Sequence, residues 1–481
     1  MPSVEWRQLV RDYWLEAGFA VAVFTAVIVV RLIKLGSVPR IVTADEADNL
    51  QTAYHVTAGT GPGFFGFDWA SSPIFSLYPL AWTIDVFGNT ISDYRLFPVI
   101  LSLLTIILFY LLARESMGAP AALAAMALLG TNLLFLHFSR TAWVNINAPL
   151  FAVGAAWAAT RAIKTQRIGW WALTGVFVAF GFYGYLAGRT IFIAVALVAV
   201  LAVALRLAPW RSTAIGLVVA GVVSAALFAP MAKEMFEAGN FTGSRLQNVS
   251  VFNVPEEQPY EGDTSGWLIA GKNTIRNYKT FVLQNGSEVH RGLWGRYGPF
   301  GRAPLDTIAA YLFWGGLIVA ALRWRRTFTW WPFFAPLFIA EVFSVGTPDL
   351  GRGIIFVPFY FLFIGVLFDE LLRWLRGPIA RSVAGLAVVG VVAFVATTNV
   401  HDYFDWQDQP TTQALRMPGI AGCEFDLWRS FAQEASALGP ANLDPAKFDT
   451  ARRELNCSPD TRAWLQLSAP VEAPPESAGP R

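Results

Sequence analysis

Apolar runs of about 17 to 22 residues follow one another along most of residues 1–400, and each is long enough for a helix to cross a bilayer core of about 30 Å. A helix in a soluble core needs one apolar stripe; a helix apolar all round needs apolar surroundings on every side. Composition agrees: 55% of the chain is hydrophobic and 15% charged, whereas soluble domains carry about 25% charged residues. A soluble enzyme and a disordered scaffold are excluded. The formal net charge of +2 gives no footing for a polyanion, so no nucleic-acid partner is expected. The pattern predicts an all-α polytopic membrane protein.

Helices are expected at 17–35, 95–113, 119–137, 146–163, 170–187, 190–206, 213–231, 305–322, 328–345, 354–371 and 382–398, with 73–88 lying along the membrane. Charge sets the sidedness. With 73–88 interfacial, Arg7 and Arg11, then Arg161, Lys164 and Arg167, Arg206 and Arg211, Arg323, Arg325 and Arg326, and Arg373, Arg376 and Arg381 share one side, which the positive-inside rule makes cytoplasmic. Arg31, Lys34 and Arg40 at the outer end of the first helix run against the rule and are expected to snorkel to headgroups. The expected location is a bacterial inner membrane, N-terminus cytoplasmic and C-terminus outside. The first apolar run has no small-residue cleavage site after it, so no cleaved leader is expected.

This topology divides the chain into a transmembrane module, 1–400, a small extracytoplasmic region, 401–465, and a Pro- and Ala-rich tail, 466–481, expected to be disordered. Two large loops face outward within the module, 36–94 and 232–304. In the second, Trp267, Gly271, Ile275, Tyr278 and Val282 recur at helical spacing among Lys272, Arg276 and Lys279, the pattern of a surface helix. Cys423 and Cys457 would face an oxidising space and are candidates for a disulfide, with two free thiols as the alternative.

Ionisable residues avoid the middle of the spans and gather at their outer ends. Directly after the first span stands Thr43-Ala44-Asp45-Glu46-Ala47-Asp48. Thr43 and Glu46 fit a capping box, a purely structural task for Glu46. Asp45 then falls in the first turn of a helix, where the dipole favours a carboxylate. Four arginines stand at the outer ends of other spans: Arg95, Arg140, Arg189 and Arg352. Anionic headgroups are one partner for them; a single phosphate held by bidentate hydrogen bonds is the other.

An Asp-Glu pair after the first span, an interfacial helix, an Arg opening the next span and a large outer loop resemble the GT-C glycosyltransferases. The resemblance is nearest to glycosyltransferase family 39, which holds the protein O-mannosyltransferases and bacterial relatives such as the aminoarabinose transferase of lipid A. It covers about 30–400 and rests on FSRTA at 138–142, FYGYLAGR at 182–189, RLQNVSVFN at 245–253 and GRAPLD at 301–306. The resemblance implies a GT-C-type bundle and sugar transfer from a polyprenyl-phosphate donor. It also implies an acidic pair, Asp45 and Glu46, at the active site. The lipid A branch carries Lys-Pro at the start of the interfacial helix, where Ser72-Pro73 stands here, so a donor-contacting lysine is missing.

Sugar transfer from a phosphate needs a base for the acceptor hydroxyl and cations for the leaving group. Asp45 is the expected base, with inversion, because Glu46 projects about 100° away around a helix. Arg95 and Arg352, then Arg140 and Arg189, are expected to hold the phosphate. Tyr183, Tyr185 and Trp69 are candidates to stack on the sugar, His290 to bind substrate, and Glu341 to support the site. Arginines supply the charge a metal would bring, so no metal or other cofactor is expected. Expected partners are the lipid-linked sugar, a lipid, glycan or protein acceptor, and membrane lipids. Two other classes fit less well: a flippase or transporter of lipid-linked sugars, which needs polar groups on both sides, and a scaffold, which would need 405–481 rather than Asp45.

Overall fold

The computed structural model describes residues 6–39, 42–59, 61, 63–67, 73–88, 90–237, 249–289, 296–299, 301–408 and 419–420. Among these the regular structure is helical apart from one two-residue antiparallel pairing, Val42 with Ile420 and Thr43 with Gly419, and isolated bridges such as Ser250 with Ser344. Trp69, His290, Cys423 and Cys457 lie outside the described residues, as do Arg40 and the 466–481 tail.

In chain order the principal helices are α1 Trp6–Leu32, α2 Ala44–Thr57, α3 Tyr78–Phe87, α4 Leu96–Arg114, α5 Ala119–Thr131, α6 Leu133–Phe138, α7 Asn147–Thr165 and α8 Ile168–Tyr183. They continue with α9 Ile191–Ala204, α10 Trp210–Glu237, α11 Gly266–Asn277, α12 Thr307–Leu322, α13 Trp331–Leu337, α14 Val357–Trp374 and α15 Pro378–Asp408. Six described helical passages are long and apolar enough to cross a membrane, among them Ile91–Arg114, Leu350–Trp374 and α10. Burial gives the layout. The apolar stretch of the passage Leu350–Trp374 is 83% enclosed, against 17% for those of α10 and α15 and 11% for that of α1. α14 is therefore the centre of the bundle. Val218 and Val222 on α10 and Leu386 and Val389 on α15 face outward, where lipid chains would cover them. Glycines let helices meet backbone to backbone: a Cβ at Gly316 of α12 would stand 2.1 Å from the Phe363 carbonyl of α14.

Several expectations are revised. α1 ends at Leu32 instead of reaching residue 35, because the Arg140 guanidinium gathers the carbonyls of Val30, Arg31, Ile33 and Val38 and so terminates the helix. Arg31 does not snorkel. It is fully buried, donating to Ser102 Oγ (2.9 Å) and the Gly130 carbonyl (2.8 Å). The third passage breaks at Asn132, which leaves the helical range (ψ 129°), caps α6 through Phe135 N–H and donates to the Pro304 carbonyl. α15 runs through the expected boundary at 400 as far as Asp408, and Tyr403 and Trp406 pack on Leu133 and Leu136.

Residues 73–88 form a 3₁₀ turn, Ile74–Leu77, leading into α3. Leu80, Ala81 and Ile84 are buried with Leu50 and Tyr54 of α2, while Trp82, Val86 and Phe87 are exposed. Ten residues of α-helix span about 15 Å, half a bilayer core. α11 likewise buries Ile269, Ala270 and Asn273 and leaves Trp267, Leu268 and Ile275 exposed.

Candidate active site

Asp45 sits in the first turn of α2, and the local sequence puts it there. Thr43 is the N-cap: its Oγ1 accepts the Glu46 N–H at 3.2 Å and a second bond from Trp143 Nε1 at 2.8 Å. Only half of the capping box forms. The Glu46 carboxylate turns inward to Arg95, with Oε1 3.0 Å from Nε and Oε2 3.3 Å from Nη2, and also accepts the Ala142 N–H at 3.1 Å. Both side chains of this pair are 0% exposed. Arg95 also donates to the carbonyls of Leu35 and Pro39, and Asn49 donates to the Ala142 carbonyl. The loop after α1 and the start of α2 are thus tied to the 140–143 segment from beneath. Breaking such a buried pair by removing one partner costs about 3–5 kcal/mol.

Asp45 itself points the other way, with its side chain 43% exposed, and pairs with Arg296 of the 232–304 segment. The Arg296 guanidinium lies over the rings of Trp143 and Tyr297 at 5.8 and 5.4 Å. Burial opposes its charge, yet Tyr297, Asp45, Asp349 and Tyr185 together raise its pKa above the ordinary arginine value. The segment carrying Arg296 is anchored: its carbonyl meets His137 Nε2 at 3.1 Å, and His137 is enclosed by Trp143, Tyr403 and Trp406. Further along, Arg302 binds Asp402 (2.6 Å) and Asn399 (2.9 Å) of α15.

A third segment closes the site. Asp349 accepts the Gly351 N–H (2.7 Å) and faces Arg352 Nε at 3.6 Å. Arg352 donates to the Val345 carbonyl, and Asn145 Nδ2 holds the Gly351 carbonyl at 2.9 Å. Beneath it the buried Glu341 accepts the Asp349 N–H through Oε2 (3.1 Å), and its Oε1 has no partner. Glu341 thus supports the turn that carries Asp349 and Arg352.

Asp45, Arg352 and Tyr185 are accordingly brought to one place, joined by Arg296, Tyr297 and Asp349. Other candidates are engaged elsewhere. Arg95 spends its guanidinium on Glu46 and two carbonyls, and Arg140 spends its own on the end of α1; neither faces the Asp45 side of α2. Tyr183 donates its hydroxyl to the Leu227 carbonyl and packs among Phe65, Phe75 and Phe228. Arg189 is the exception: it is half-buried, and its Nε has no partner among the described residues. Arg296 escaped the sequence reading although it carries the signal used for the other four, a cation on the side expected to face outward. Among the described residues no three His, Cys, Asp or Glu side chains cluster to hold a metal.

Comparison with known proteins bears on the fold. Residues 71–232 match the family described as dolichyl-phosphate-mannose-protein mannosyltransferase. No curated protein matches the chain. Among solved structures it is similar to the oligosaccharyltransferase of Archaeoglobus fulgidus in the apo form, with TM-score 0.55, 14% identity, and coverage of 95% of this chain and 61% of that one. The chain therefore spans about three fifths of that relative's length. It is similar also to ArnT from Cupriavidus metallidurans, with TM-score 0.53 and 14% identity in the apo state, covering 95% of this chain and 85% of that one. The same enzyme bound to undecaprenyl phosphate gives 0.53 at 15% identity, over 94% and 75%. The chain has the fold of the GT-C membrane glycosyltransferases, and its segment 71–232 carries the sequence pattern of the dolichyl-phosphate-mannose-protein mannosyltransferases.

Proposed function

We propose that the chain is a glycosyltransferase that moves a sugar from a polyprenyl-phosphate donor to an acceptor hydroxyl outside the cytoplasm. Asp45 is the general base, and Arg296 and Arg352 hold the leaving phosphate. One observation carries this reading: a single half-exposed carboxylate at a helix N-terminus stands against an arginine that also feels Asp349 beside Arg352. Similar structures include one bound to undecaprenyl phosphate and one, from Archaeoglobus fulgidus, in complex with an inhibitory peptide and a dolichol-phosphate.

In the reaction the acceptor oxygen attacks the anomeric carbon as Asp45 takes its proton. The bond to the phosphate oxygen breaks, and that oxygen keeps the electron pair, its charge met by the guanidiniums. Glu46 is fully buried on Arg95, so the acidic pair offers the sugar one carboxylate and not two, which favours inversion. Arg95 and Arg140 act as positioning residues under this scheme, Arg189 remains a phosphate candidate, and Tyr185 is placed to meet the sugar. The scheme routes no step through a metal.

Purified protein incubated with a pool of polyprenyl-phosphate sugars and envelope acceptors tests this by mass spectrometry. Wild type should consume one donor, and Asp45→Asn should consume it about 10²- to 10⁴-fold more slowly. Equal consumption would remove Asp45 from the base role. Translocation of the intact donor across a liposome membrane without consumption would favour a flippase.

A further inference from the structure

Far from Asp45 the same bundle presents a second basic site. Arg352 stands on the short turn that leads into α14, five residues before Val357, and Arg373 lies in the last turn of α14; the 18 residues of that helix separate its two ends by about 27 Å. Around the Arg373 end, where α12 also stops, opens a cavity of about 720 Å³ lined by Arg323, Arg326, Arg373, Arg376, Glu370 and Trp374. Its charges do not balance. Asp369, 5% exposed, accepts from Arg326 (2.6 Å), from Arg373 (2.8 Å) and from the Gly118 N–H at the start of α5 (2.7 Å). Glu370 is taken by Arg323 at 3.0 Å. Arg376 has no described partner, so two carboxylates answer four guanidiniums.

We propose that this cavity binds the phosphate headgroup of an anionic glycerophospholipid. Arg326 and Arg373 are oriented by one buried carboxylate that neutralises only one of them, and a guanidinium retains donors for two phosphate oxygens after one such contact. The ligand is a lipid and not a soluble anion because of what surrounds the arginines. Trp374 is 76% exposed and Ile379, just beyond, 79% exposed, an aromatic and an aliphatic surface at the level where acyl chains meet headgroups. Basic pockets between helix ends on the positive side of a membrane protein take anionic lipids for this combination of charge and apolar rim. The reading is independent of the chemistry at Asp45.

Native mass spectrometry of the full chain, released from micelles holding equal phosphatidylglycerol and phosphatidylcholine, tests it. Wild type should carry about fivefold more phosphatidylglycerol, and the triple variant Arg326→Gln, Arg373→Gln, Arg376→Gln should carry the two lipids about equally. Equal retention by the wild type, or an unchanged preference in the triple variant, overturns the proposal. Glycerol 3-phosphate at millimolar concentration should not displace the lipid; displacement would show a soluble-phosphate site and overturn the lipid assignment. The triple variant leaves Asp369 buried without its cations and can fail to fold, so Arg376→Gln alone is the second variant. Its melting temperature should stay unchanged while the lipid preference falls about twofold; an unchanged preference counts against the proposal.

Discussion

Asp45 and Glu46 are adjacent in sequence and opposite in circumstance. Glu46 is sealed against Arg95, whereas Asp45 stands half exposed against Arg296. Their amides should therefore fail differently. Glu46→Gln strips a buried guanidinium of its counter-charge and should lower stability by about 3–5 kcal/mol, read as an earlier unfolding transition in detergent. Asp45→Asn should leave that transition in place and remove transfer. Tyr183 and Arg296 divide in a similar way. Tyr183→Phe loses one hydrogen bond to a carbonyl inside an aromatic cluster, a change worth about 1 kcal/mol, and should leave the KM for donor alone. Arg296→Ala should raise that KM about tenfold or more, since a charge-assisted contact to phosphate is among the stronger hydrogen bonds.

At the scale of elements, the site depends on how closely the helices approach. Gly316→Val would push α12 off α14, because the first added carbon already meets the Phe363 carbonyl. Overpacking of this kind costs about 1–3 kcal/mol. Its effect on Asp45 should be indirect, appearing in the thermal transition before it appears in the KM for donor. Asn132 shows a different logic. It breaks the third passage, and its side chain then reaches the Pro304 carbonyl, eight residues beyond Arg296. Its position in an apolar run was visible in the sequence, but its partner, 172 residues away, was not.

For the whole molecule, the last turns of α15 hold the segment that carries Arg296 and Arg302. Asn399 and Asp402 hold Arg302, and Tyr403 and Trp406 enclose the His137 that meets the Arg296 carbonyl. Truncation after Ile420 preserves every contact named here and should preserve transfer. Truncation after Val395 removes those contacts and should abolish it, a comparison made on membranes carrying equal amounts of each protein. A scaffold acting through 405–481 would lose its role in both.

Fold class, the places of most long apolar helices (the expected 328–345 helix is instead broken into short pieces) and the acidic turn that carries Asp45 are legible in the chain itself, because membrane insertion depends on runs of one polarity and on the charges flanking them. Those quantities are local and one-dimensional. Which guanidinium faces the site is not. Arg95, Arg140, Arg296 and Arg352 have the same chemistry and similar flanks. What separates them is whether orphan carbonyls at the end of α1 and a buried carboxylate on α2 lie within reach once the helices pack. Arg95 and Arg140 are consumed by that task, Arg296 and Arg352 are left beside Asp45 and Asp349, and only the assembled bundle makes the choice.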